Sequence, residues 1–207
     1  MYWRAPPVPV AFSPMSGIAG PFFAVAALLG AAGLAKVVRP RTTAQALRSG
    51  GLPGTLGLGR CLGAVEVAIA IGALLSGGRL AAGLVSACYL GFALFTARLL
   101  VLADSASCGC FGESEAPATP VHVALNLAAV TAAALAAGWP PGPLGSVVAD
   151  QPWSGIPFLA LVAMLAWLTY VAMTLVPELA PAGRPRRERP TDGATDRGAP
   201  AGGASPR

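Results

Sequence analysis

The chain has 207 residues, of which 55% are hydrophobic and 11% charged. Soluble domains carry about 25% charged residues, so this deficit excludes an ordinary soluble enzyme and points to a membrane protein. The formal net charge of +5 does not argue for nucleic acid. Six of the fourteen basic residues lie in the last 24 positions, the pattern of charges that orient a membrane chain.

Met1–Ser16 is a Pro-rich lead holding one arginine and no apolar core, so it does not read as a cleavable signal peptide. Apolar runs then reach the ~20 residues that cross hydrocarbon as a helix. The first span covers about Gly17–Val38, with Pro21 in its first turn, where a missing N–H costs little. Gly30 and Gly33 give it a narrow face for close approach of another helix. Lys36, Arg39 and Arg41 close the span and Pro40 ends it. Thr42–Arg48 is expected to form a short interfacial helix, stopped by Gly50, Gly51 and Pro53.

The second span covers about Cys61–Ser76, with a start a few residues earlier as the alternative, and contains Glu66. A turn at Gly77-Gly78-Arg79 leads into the third, about Leu80–Ala103, with Cys88 and Arg98 inside it. Asp104–Pro120 is a polar gap holding Ser107-Cys108-Gly109-Cys110-Phe111-Gly112. The fourth span, about Val121–Gly138, has His122 and Asn126 near its start. Trp139–Gly155 is a Pro/Gly-rich connection whose Trp139 and Trp153 suit the membrane interface. The fifth span is about Ile156–Val176, and residues 179–207 form a basic tail whose composition predicts disorder and affinity for anionic lipid.

These five spans predict an all-α polytopic membrane helix bundle. Eleven basic residues flank the first connection or lie in the tail, against Arg4 and Arg79 on the opposite side. That bias predicts a multi-pass protein of the cell membrane with its N-terminus outside and its C-terminus cytoplasmic. The same topology brings Lys36, Cys61, Cys108, Cys110 and His122 to one face. Counting ~1.5 Å per residue, Glu66 and Arg98 both fall roughly 8 Å beneath it, which predicts an ion pair between them. Cys88 falls about 22 Å from that face by the same count, and reads as a small buried residue.

Cys108 and Cys110 are the main chemical candidates. The glycine between them allows a tight ring, and a disulfide there would be strained and readily exchanged. The start of the fourth span and a cationic His122 are the features able to favour a thiolate. A metal reading also stands, with Cys61, Cys108, Cys110 and His122 as ligands, as does a structural disulfide or an idle pair. Lys36, Glu66, Arg98 and Asn126 form a supporting polar set, in which Glu66 and Arg98 are either a structural pair or serve proton handling or a quinone, and Asn126 fixes packing by an interhelical hydrogen bond.

Several residues resemble a known family. Gly33-x-x-Lys36-x-x-x-Pro40 closes the first span, a glutamate lies in the second, Cys108-Gly109-Cys110-Phe111-Gly112 follows the third, and an asparagine opens the fourth. This order resembles the methylamine-utilisation MauE family, within the DoxX-like small membrane proteins, over roughly residues 17–138. The resemblance implies a four-helix core with the fifth helix added. By that resemblance Lys36, Glu66, Cys108, Cys110 and Asn126 match positions typical of the group, and the implied activity is support for maturing a disulfide-rich subunit of methylamine dehydrogenase. A thioredoxin-like redox protein and a secreted or periplasmic client would then be its partners. A non-catalytic metal-binding or small-solute transport protein, and a membrane scaffold, are the competing function classes.

Overall fold

The computed structural model describes residues 14–102 and 118–179. The chain forms α1 (Pro14–Val38), α2 (Pro40–Ser49), α3 (Leu56–Ser76), α4 (Arg79–Leu102), α5 (Pro120–Gly138), α6 (Leu144–Ala149), a 3₁₀ turn (Pro152–Gly155) and α7 (Ile156–Leu179). Among the described residues, five helices are long and apolar enough to cross a membrane, namely α1, α3, α4, α5 and α7.

α1 begins at Pro14, earlier than the apolar run suggests, so Pro21 lies inside the helix and not in its first turn. Its most apolar window is 61% buried, against 11% for α7, so α1 is the central helix and α7 a peripheral one. α1 packs on α3, α3 on α4, α4 on α5, and α5 back on α1, closing a four-helix bundle. α7 lies against α1 and α5, with the Phe158 ring edge-on to Phe23 at 6.3 Å between centroids. The Tyr89 hydroxyl of α4 donates to the Val25 carbonyl of α1 at 2.8 Å, a tie across the bundle.

The inward faces show helical spacing. α3 buries Gly59, Gly63, Glu66, Ala70 and Ala73, and α5 buries His122, Asn126, Ala129, Ala133 and Ala136. Both stripes alternate steps of four and three, the seam along which two helices interlock. Most of these residues are small, as expected where lipid offers no hydrophobic drive and close backbone packing must hold helices together.

The short elements sit between spans. α2 starts with Pro40 in the first turn and buries Thr43, Ala44, Ala46 and Leu47, while Arg41, Gln45, Arg48 and Ser49 stay exposed. It is an amphipathic helix two residues longer at its start than Thr42–Arg48, and one longer at its end. Thr55 caps α3 by accepting the Leu58 N–H at 3.1 Å, so α3 begins at Leu56, the earlier of the expected starts. Gly77 ends α3 with φ 54°, and any Cβ there would collide with the Gly142 carbonyl. The 139–155 connection is more ordered than its composition suggests, because it holds α6 and the 3₁₀ turn.

Candidate functional site in the membrane core

α1 and α3 cross at two glycines. A Cβ added to Gly63 would lie 2.5 Å from the Gly33 carbonyl oxygen, and one added to Gly33 would lie 2.7 Å from that of Gly63. Each glycine also makes room for a charged residue of the other helix, since Glu66 Cβ stands over Gly33 and Lys36 Cβ over Gly63. This reciprocal seating brings Lys36 Nζ to 2.7 Å from Glu66 Oε2, with both side chains about 5% exposed. The Lys36 ammonium also lies 4.9 Å from the centre of the Phe92 ring on α4, within range of a cation–π attraction.

The partner of Glu66 is therefore Lys36, and the expected Glu66–Arg98 pair does not form. The reason is depth. α3 starts five residues before Cys61, which puts Glu66 ~15 Å along the helix, whereas Arg98 is only ~6 Å from the end of α4. Arg98 is exposed and donates its Nε–H to the carbonyl of Gly50, the residue that caps α2, at 2.7 Å. It ties α4 to α2 at the bundle's edge and takes no part in the buried pair.

Two cavities flank the pair, and both are lined by Lys36 and Phe92. One, of about 170 Å³, reaches Tyr89 and Asn126. The other, of about 320 Å³, lies between α2, α3 and α4 and reaches Glu66, Cys88, Phe95 and Thr96. The greater depth of Glu66 also explains why Cys88, expected to be remote, lines the same cavity. Thr96 is fully buried and Asn126 is 2% exposed. Among the described residues, Thr96 Oγ1 and Asn126 Nδ2 have no hydrogen-bond partner.

His122 is 2% exposed and belongs to the start of α5. Its Nδ1 accepts the Thr119 N–H at 3.3 Å and lies 2.9 Å from Thr119 Oγ1. Thr119 and His122 thus form a capping box in which an imidazole stands where Glu or Gln usually does. Using the Nδ1 lone pair this way selects the neutral ring with its proton on Nε2. Cys108 and Cys110 lie outside the described residues, in the connection between α4 and α5. Cys61 is an exposed free thiol on α3 and Cys88 a half-buried one on α4. Among the described residues, no three His, Cys, Asp or Glu side chains gather as a metal-ligand group.

Sequence reasoning selected Lys36, Glu66 and Asn126 but missed Thr96, Phe92, Tyr89 and Thr43, and it set Cys88 apart from the polar core. Thr96 lies three residues after the buried Ala93 and three before Leu99, so its place on the inward stripe of α4 is a signal the sequence carried.

The fold and the core define a polytopic α-helical membrane protein with a buried ion pair between its first two spans. The family model for methylamine utilisation protein MauE matches residues 16–139, and the chain belongs to this family. The match covers α1 to α5 and stops before α6 and α7. No curated protein and no solved structure matches the chain.

Proposed function

We propose that this MauE-family protein performs thiol–disulfide exchange at the membrane, in support of the folding or maturation of another protein. The observation that carries this reading is the placement of Cys108-Gly109-Cys110 in the connection that joins the tightly packed α4 and α5. Thiol exchange with a protein partner is the chemistry that two cysteines one residue apart support best. One thiolate attacks a partner disulfide, breaking its S–S bond and forming a mixed disulfide as one partner thiolate leaves. The second cysteine then attacks the mixed disulfide, releases the other partner thiol and closes the Cys108–Cys110 bond. The partner gains two electrons, and a thioredoxin-like dithiol returns the pair to its reduced state, becoming a disulfide itself. His122 seats the start of α5 and offers its Nε2–H.

The family name directs attention to a client in methylamine utilisation, with maturation of methylamine dehydrogenase as the reading the resemblance implies. The basic residues of the first connection and the tail support an N-terminus outside and a cytoplasmic C-terminus. That orientation puts the dithiol on the cytoplasmic side, so service to an exported client requires passage of electrons across the membrane.

Trapping tests the reading. A Cys110→Ser or Cys108→Ser variant should accumulate a mixed disulfide with a partner, and the wild-type pair should shift between thiol and disulfide as the membrane's redox state is changed. A pair that never changes oxidation state sinks the proposal.

A further inference from the structure

The 320 Å³ cavity between α2, α3 and α4 has the dimensions of a small-molecule site. Its walls are almost entirely apolar, with the rings of Phe92 and Phe95 among them. Polar groups meet at one region of its lining, where the Lys36–Glu66 pair and Thr96 stand. Leu62 and Val65 of α3 and Gly91 of α4 also line it and are exposed on the outer surface of the bundle. On a membrane-spanning bundle that surface faces lipid, so the cavity opens sideways into the bilayer.

Thr96 brings a buried hydroxyl to the lining of the cavity. Hydroxyls on membrane helices ordinarily return to the carbonyl four residues back. Ser76, Thr131, Thr169 and Thr174 do so here, at 2.7 to 3.0 Å. Thr96 does not, although it is fully buried, and its Oγ1 has no partner among the described residues. A buried hydroxyl without a partner is costly, and a bound oxygen in the adjoining cavity would satisfy it.

We propose that this cavity binds an uncharged, membrane-soluble molecule with a carbonyl or hydroxyl head on an apolar body. The head meets Thr96 beside the Lys36–Glu66 pair, and the body lies along Phe92 and Phe95. Entry from the lipid excludes ions, and the salt-bridged pair leaves no net charge to attract one. A quinone and a monoacylglycerol share this chemistry, and they arrive from the same bilayer. The inference goes beyond thiol exchange and does not depend on it, because binding is read without electron transfer.

The test uses the full chain in phosphatidylcholine nanodiscs, with radiolabelled duroquinone in one arm and a radiolabelled monoacylglycerol in the other, against protein-free nanodiscs. Saturable binding of one probe per chain is expected in at least one arm, and the arm that saturates identifies the source. Gly91→Leu should abolish that binding. A Cβ at Gly91 meets nothing within 4 Å, so this variant should fold and melt as the wild type does. Thr96→Val, which keeps the shape and removes the hydroxyl, should weaken binding about tenfold, the worth of one hydrogen bond. Uptake that rises linearly in both arms overturns the proposal, as does saturable binding that neither variant changes.

Discussion

At the scale of single residues, the described buried polar groups lie on α1 to α5, and several have their own energetic signature. The Lys36–Glu66 pair is a buried ion pair, for which removing one partner is costly and removing both is not. Glu66→Ala should therefore lower stability by about 3–5 kcal/mol, while Lys36→Met combined with Glu66→Leu should recover most of that loss. Unfolding of the purified variants in detergent measures the difference, and equal losses in single and double variants would contradict the pairing. Thr96→Val should move the other way, since it removes a buried hydroxyl that lacks a partner. It is expected to raise the unfolding free energy by on the order of 1 kcal/mol. His122 separates structure from chemistry. His122→Ala loses the capping box and about 1 kcal/mol. His122→Gln keeps a side chain able to reach back to Thr119, so it should restore stability. If the imidazole serves the dithiol, His122→Gln will still be slow in thiol exchange when assayed against a disulfide substrate.

Between elements, the decisive contact is the crossing of α1 and α3 at Gly33 and Gly63. The carbonyl of one helix occupies the space where the other would place a Cβ. Gly63→Val should push the helices apart, cost at least about 1–3 kcal/mol and break the Lys36–Glu66 contact with it. Gly91 lies on an open face of α4 and provides the control, because Gly91→Ala should change stability by no more than about 0.5 kcal/mol. Thermal melts of the two variants side by side check this contrast. α2 serves the same crossing from outside. It covers the cavity with Thr43, Ala46 and Leu47, and its end is fastened to α4 by the Arg98–Gly50 hydrogen bond. Arg98→Met should loosen α2, read as faster hydrogen exchange over residues 40–50.

For the molecule as a whole, the governing question is which compartment each end of the bundle faces. α2 and the α4–α5 connection share one end, and the 139–155 connection lies at the other. The charge bias supports the orientation proposed above, with the α2 end in the cytoplasm. In a background with the native cysteines replaced by serine, Gln45→Cys should react with an impermeant maleimide only after permeabilisation. Asp150→Cys should react in intact cells. The reverse result would place the dithiol connection outside, next to exported clients.

The sequence alone determined the number and limits of the spans to within a few residues. Hydrophobic length, Pro40, Pro120 and the glycine turn at 77–78 are local signals that need no partner to act. It also marked Lys36, Glu66 and Asn126, because a polar group within an apolar run stands out wherever it points. Pairing was a matter for the tertiary structure. Lipid-facing and core-facing positions are equally apolar here, so the chain shows little periodic contrast to set the rotation and depth of one helix against the next. That register is fixed where backbones touch, at Gly33 and Gly63. It gives Glu66 to Lys36, sends Arg98 to Gly50, and gathers Cys88, Phe92 and Thr96 around one cavity.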